Sequence, residues 1–248
     1  MSPWLGLAGF GVVFFSAALM LGLSLLRRKK SPVFRDIPAF TRLRQAVELV
    51  VEDGSHLHVS LGRGALTTPQ SASALAGLAL LRQLANLASA SDQPPIVTSG
   101  DATLAILSQD TLLAAAIISE RATYDSTAGR LTGLTPFSYA AGAIPVIRDE
   151  NVTANILMGN FGAEVALLNE AIERENAFVL AGSDNLTAQA VIYSSAQEPL
   201  IGEEIYAAGA YFESGPLHIA SLTVQDILRW LIIMAILVGT LLTLAGGL

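Results

Sequence analysis

Two long stretches carry no charge and no alternation of polar with apolar positions, and they stand at the two ends of the chain. Trp4 to Leu26 reads "WLGLAGFGVVFFSAALMLGLSLL" and Trp230 to Leu248 reads "WLIIMAILVGTLLTLAGGL". At about 1.5 Å of rise per residue the first covers roughly 34 Å and the second roughly 28 Å, against a hydrocarbon core about 30 Å thick. The pattern predicts two transmembrane helices. "RRKK" (27–30) follows the first run, whereas a cleavable signal peptide carries its basic residues in front of a shorter run. The first helix is therefore expected to stay as an anchor. Arg229 and Trp230 stand where interfacial anchors of the second belong.

Between these ends the periodicity changes repeatedly. After the linker "SPVFRDIPAF" (31–40), "TRLRQAVELVVEDG" has the spacing of a helix ending at Gly54, and "HLHVSL" (56–61) alternates as a strand does. "QSASALAGLALLRQLANLASA" is apolar all round and predicts a buried helix. "PPIVTSGD" (94–101) predicts a strand and an acidic turn, and "TLLAAAIISERA" (111–122) a helix. Residues 123–138, "TYDSTAGRLTGLTPFS", lack apolar periodicity over a length typical of functional or interface loops.

One segment is nearly said twice. Residues 143–172 align without a gap on 177–206: Asn151 meets Asn185, Thr153-Ala154 meets Thr187-Ala188, Glu164 meets Glu198 and Glu170 meets Glu204. "YAAGA" also recurs, at 139–143 and 206–210, where helices are expected to end, and 96–113 is a weaker, shortened candidate copy. Each unit reads as apolar strand, acidic turn, second apolar stretch, small-residue break and helix, with the second stretch taken as a strand. "SAQE" (195–198) fits a capping box ahead of a helix with Pro199 in its first turn, which puts both Glu164 and Glu198 at helix starts, facing the positive dipole end. The expectation is an α/β body with a mixed sheet and a duplicated strand-turn-strand-helix unit.

Composition agrees with a membrane attachment: 52% of residues are hydrophobic and 14% charged, and the mean hydropathy is +0.53, against roughly 25% charged in an ordinary soluble domain. Charge is also partitioned. Residues 31–222 hold nine arginines, no lysine and twenty acids, a net −11, while the one dense basic run abuts the first span. Basic residues favour the cytoplasmic side. The expected organisation is an N-terminal transmembrane helix and basic collar (1–30), a cytoplasmic body (31–222) and a C-terminal transmembrane helix (223–248), with both termini outside. The absence of cysteine fits a reducing compartment. So acidic a body repels nucleic acid, whose binding rests on neutralising phosphates.

Candidate chemistry is sparse. "GRGALT" (62–67) lies between a predicted strand and a predicted helix, where a dinucleotide fingerprint sits, but Thr67 replaces the third glycine and no acid follows about 20 residues later. Gly62, Arg63, Gly64 and Thr67 are thus an anion-loop candidate or simply a tight turn. His56 and His58 share one face of a strand, but zinc needs three or four ligands and the only other histidine is the distant His218. No G-x-S-x-G occurs, and the body has no lysine for a Walker A or Schiff-base site. The neighbouring acids Asp149-Glu150 and Glu203-Glu204 diverge in either regular structure and read as solvated faces. No catalytic residue, metal or cofactor is expected. Ala235, Gly239, Thr243 and Gly247 recur every four residues on the last helix, a small-residue stripe of the kind that packs helices in lipid, within the chain or between copies; Ala18 and Gly22 form a shorter one.

"FGAEVALL", "AGSDNLTAQAVIY" and "PLIGEEIYAAGAY" resemble segments of a family of prokaryotic membrane-anchored proteins known as a domain of unknown function. The resemblance spans roughly residues 40 to 213 and implies membrane anchoring without bringing a catalytic residue or ligand. Two functional expectations follow. The first is a non-enzymatic membrane scaffold that assembles into homo-oligomers in the bilayer. The second is a ligand-responsive regulatory or transport-associated subunit that binds a small molecule near Gly62–Thr67 or the 123–138 loop.

Overall fold

The computed structural model describes residues 3–26, 35–68, 71–88, 91, 93–119, 124–212 and 215–244. They fall into two units: a body, Asp36–Phe212, and a terminal unit formed by the two ends of the chain. "RRKK", Arg121 and Gly247 lie outside the described residues, as does the side chain of His218.

In the body, α2 (Pro38–Asp53) starts on a proline and closes at Gly54, whose left-handed φ of 64° lets its N–H bond the Val50 carbonyl. The chain then alternates strand and helix: β1 (His56–Gly62), α3 (Ser71–Leu87), β2 (Ile96–Ser99), α4 (Ala102–Ile118), β3 (Gly129–Leu131), α5 (Pro136–Asp149), β4 (Val152–Asn160), α6 (Val165–Arg174), β5 (Phe178–Ser183), α7 (Leu186–Ser195), β6 (Glu198–Leu200) and α8 (Glu204–Tyr211). Asp101 caps α4 by accepting from the Thr103 and Leu104 N–H groups. Thr135 and Ser138 form a capping box at the start of α5.

The six strands form one sheet in the order β3-β2-β1-β4-β5-β6, and every neighbouring pair is parallel. The expected mixed sheet is corrected to a parallel one. A helix separates each strand from the next, so every connection returns the chain to the same sheet end before pairing. The central strands are buried on both faces, as parallel sheets require. α3 lies on the face of Leu61: a Cβ added at Gly77 would meet Leu61 and the Met158 carbonyl. α2 packs on the same side as α8, with Phe40 against Tyr211 at 4.9 Å and Phe212 at 6.0 Å. The other face holds Leu157 in one cluster with Tyr139, Ile147, Phe161, Leu168, Ile172 and Ile192 from α5, α6, α7 and the loop after β4. Each such side chain contributes about 1.5–3 kcal/mol by leaving water.

The duplicated unit is also overturned. Where 143–172 and 177–206 align, the elements are out of phase: the end of α5 stands over β5, β4 over α7 and the start of α6 over β6, and only 170–172 and 204–206 are helix in both. Asn151 shows why the likeness misleads. It sits at φ 50° just past the end of α5, whereas Asn185 opens α7, its Oδ1 accepting from the Thr187 N–H at 2.9 Å. Asparagine suits both ends of a helix, because it tolerates left-handed backbone and also caps. "SAQE" fails similarly: Glu198 and Pro199 belong to β6. The "YAAGA" segments lie inside α5 and α8.

In the terminal unit, α1 (Pro3–Leu26) and α9 (Gly215–Leu244) lie against one another. Among the described residues, Ala220–Leu244 is the one helix long and apolar enough to cross a membrane. Two spans are not supported: the apolar stretch Gly9–Leu25 of α1 falls short of the roughly 20 residues a span needs.

Candidate functional site

The strand order reverses direction between β1 and β4. After β1 the chain moves outward to β2 and β3, and after β4 it moves the other way to β5 and β6. The helices that follow these two strands cover opposite faces, and in sheets of this kind the crevice for a ligand forms at such a point, beyond the carboxyl ends of the two strands. Gly62 and Asn160, paired in register, stand at its floor.

The backbones here run close together. Gly62 takes φ 68°, and a Cβ on it would strike the Asn160 backbone. The Arg63 N–H donates to the Asn160 carbonyl at 2.8 Å, and the Gly100 N–H to the Gly62 carbonyl at 2.8 Å, so the turns after β1, β2 and β4 are tied together. Asn160 Nδ2 donates to Asp184 Oδ1 at 2.8 Å and brings in the turn after β5.

An ion pair crosses the crevice. Arg63 Nε donates to Glu164 Oε1 at 2.9 Å, and the Gly162 N–H donates to the same oxygen at 2.9 Å. The Arg63 stem lies over Gly100, where any side chain would meet it. Glu164 is 4% exposed. Burial alone would raise its carboxyl pKa, but the Gly162 N–H, its own backbone N–H and the Arg63 guanidinium outweigh that and hold it below the ordinary value. Arg63 remains partly open, and Nε is its one side-chain donor with an acceptor among the described residues. An arginine has five N–H donors in a rigid fork, so both Nη groups are left without an acceptor among the described residues.

Beneath this site runs a buried polar chain. His58 Nδ1 contacts Asn155 Oδ1 at 2.9 Å and its Nε2 contacts Thr98 Oγ1 at 2.9 Å. Because Asn155 Oδ1 only accepts, Nδ1 carries the proton and Nε2 accepts from the Thr98 hydroxyl. Thr98 Oγ1 lies 3.4 Å from the Tyr139 hydroxyl, which also bonds Ser60 and the Gly62 backbone. All five side chains are fully buried. Burial lowers the His58 pKa from 6.5 to about 4, the Asn155 hydrogen bond and the positive charge of Arg130 being lesser influences. Burial likewise raises the Tyr139 phenol, against the hydrogen bonds from Ser60, Thr98 and Gly62.

Of the anion-loop candidates, Gly62 and Arg63 reach the crevice. Gly64 and Thr67 belong to the irregular segment that leads away to α3, which begins only at Ser71. That spacing matters. The strand order is that of dinucleotide-binding folds, in which the helix starts directly after the glycine turn. Here it does not, Thr67 replaces the third glycine, and Asp101, the acid after β2, spends Oδ1 on capping α4. The residues do not fit a dinucleotide.

His56 and His58 part company: His56 Nδ1 contacts the Pro94 carbonyl at 3.0 Å while His58 joins the buried chain. Glu164 does stand at a helix start, as expected, but its charge meets Arg63 and Gly162. Glu198, its counterpart in the alignment, is buried in β6 and pairs with Arg42. Glu150 pairs with Arg130 at 2.7 Å. Sequence reading misses Glu164 as the partner of Arg63, 101 positions away; the alternation of His58 with Ser60 in a buried strand was its one available signal for the polar chain.

The family described as a domain of unknown function (DUF6754) matches residues 7–247. No curated protein and no solved structure matches the chain.

Proposed function

This chain belongs to the DUF6754 family, and from its site we propose a membrane-attached domain, without catalytic chemistry of its own, that binds a small anionic molecule at the crevice between β1 and β4. One observation carries the reading: Arg63 stands at the reversal of strand order, fixed through Nε by Glu164, with both Nη groups lacking an acceptor among the described residues. A guanidinium held by one edge presents the other to a phosphate or carboxylate. The glycine turn at Gly62 adds close backbone approach. The role is that of a ligand-responsive regulatory or transport-associated subunit. Calorimetry with inorganic pyrophosphate and with ADP, on the full chain in maltoside detergent, tests it. Binding should weaken about tenfold in Arg63→Gln, about 1.4 kcal/mol, and stay unchanged in Arg82→Gln on the exposed face of α3. The reading fails if wild type binds neither probe or if Arg63→Gln binds as wild type does.

A second reading is a self-assembling membrane scaffold, in which α1 and α9 both cross the bilayer, the body is cytoplasmic and the termini are outside. It is favoured by the open face of α9 at Gly239, where an added Cβ would meet nothing within 4 Å, so the stripe of Ala235, Gly239 and Thr243 is free for another copy. Thr243 bonds its own helix, at the Gly239 and Thr240 carbonyls. Gly239→Leu should lower the native mass in mild detergent and Gly239→Ala should not; equal masses remove the stripe from any interface.

A further inference from the structure

We propose a second binding site, at the opposite end of the sheet, that takes a small organic cation with an apolar body. A cavity of about 620 Å³ lies at the amino ends of β1, β2 and β3, beside the ends of α3, α4 and α5. That volume is in the range of small-molecule sites, roughly 300–1,000 Å³. It is independent of Arg63 and the crevice, which sit at the carboxyl ends of the strands.

The wall is divided. Ile96, Leu112, Ala115 and Ala116 line one part with apolar side chains, the three α4 residues repeating at helical spacing. Tyr124, Asp125, Arg130 and Glu150 supply the polar part, mostly from the glycine- and threonine-rich segment after α4. Short alanines along α4 are what leaves the space.

Charge decides the ligand class. Arg130 is already engaged twice: Nη1 donates to Glu150 Oε1 at 2.7 Å and Nε to the Thr127 carbonyl at 2.9 Å. It is therefore poorly placed to serve an incoming anion. Asp125 makes no ion pair among the described residues; its Oδ1 accepts from the Thr127 N–H and hydroxyl, both at 2.7 Å, and those hydrogen bonds, with a lesser pull from the nearby Arg130 charge, hold its carboxyl below the ordinary value. Among the described residues, two carboxylates against one guanidinium give the lining a net −1. Helices in this fold run antiparallel to the strands, so α3, α4 and α5 all direct the negative ends of their dipoles toward this end of the sheet. The Tyr124 ring adds an aromatic surface of the kind that recognises ammonium groups, and its hydroxyl donates to the Gln109 carbonyl at 2.9 Å, leaving its oxygen as an acceptor. The acidic body as a whole raises the local concentration of cations.

The test is calorimetry on the full chain in maltoside detergent at pH 8, with benzyltrimethylammonium as probe and 3-phenylpropionate as the anion of similar size. Wild type should bind the cation at least tenfold more tightly than the anion. Ala116→Phe, which fills the cavity from α4, should abolish binding. Asp125→Asn, at an exposed position, should weaken the cation several-fold, and Asp125→Asn with Glu150→Gln should reverse the preference in favour of the anion. Arg63→Gln should leave all of this unchanged, which separates failure here from failure at the crevice. Circular dichroism checks that each variant is folded; if Ala116→Phe is not, Ala116→Leu replaces it. The proposal is overturned if wild type does not bind benzyltrimethylammonium, if it binds both probes equally, or if folded cavity-filling and charge-neutral variants bind the cation as wild type does.

Discussion

His58 is the residue whose burial has the clearest energetic consequence. It is neutral in the fold, with its pKa lowered from 6.5 to about 4 by desolvation, whereas in the unfolded chain it titrates at an ordinary value. Above pH 6.5 both states are neutral and the fold keeps its full stability. As pH falls from 6.5 to 4 only the unfolded state gains the proton, and stability is lost, by about 3 kcal/mol across that window. Below about 4 this loss is complete. Chemical denaturation at stepped pH should show that slope in the wild-type body, and His58→Gln should flatten it. A slope unchanged by the substitution would assign the acid sensitivity to other groups. Glu164 acts in the same direction but lower: its carboxyl, held below the ordinary value of 4.5, adds stability present above that value and lost as pH falls through its folded pKa.

Elements are where the two aligned segments come apart. Asn151 and Asn185 hold the same alignment column, yet one follows a helix in left-handed backbone and the other opens a helix as its cap. Their substitution tolerances should therefore be opposite in kind. Serine caps nearly as well as asparagine, so Asn185→Ser should cost little, while Asn185→Ala should cost about 1 kcal/mol. At Asn151 serine lacks asparagine's tolerance for positive φ and should cost about 1 kcal/mol, whereas Asn151→Gly should be neutral or stabilising. Denaturation midpoints at unchanged slope would measure each, and equal tolerance profiles at the two positions would contradict the assignment of separate roles. The strands divide similarly. "HLHVSL" and "IVTS" were legible as strands from β-branched runs and turn residues, but their partners and direction were not. Residues 123–138, read as a single loop, contain β3 and the start of α5, because three residues of edge strand leave almost no periodic trace.

For the whole molecule, the parallel order β3-β2-β1-β4-β5-β6 gathers Arg63 with Glu164 at one pole of the body and Asp125 with Glu150 at the other. Helix dipoles reinforce both, since their positive ends meet the carboxyl ends of the strands and their negative ends the amino ends. Placement of that body relative to a bilayer is a separate question, and the proposed cytoplasmic orientation makes a direct prediction. A cysteine at the exposed Glu173 should be shielded from an impermeant thiol reagent in intact cells, and one appended after Leu248 should react. Labelling of Glu173→Cys from outside would reverse the orientation. The chain has no native cysteine to confuse the readout.

By itself the sequence determined what depends on neighbours along the chain: the apolar C-terminal helix, the strand at 56–61, the glycine turn at Gly62 and Arg63, and the acidic, alternating α/β character of the body. Those features follow from local propensity, hydrophobic period and charge, which need no partner to be read. Tertiary structure alone decided strand order and direction, the pairing of Arg63 with Glu164, the burial of His58 against Asn155 and Thr98, and the antiphase of the two similar segments. Each of these turns on contacts between residues tens of positions apart. "NVTANILMG" and "NLTAQAVIY" are both apolar runs opened by asparagine, and neither states whether it is strand or helix. The fold settles it by where each must pack: the first between β1 and β5 in the sheet, the second on its surface as α7.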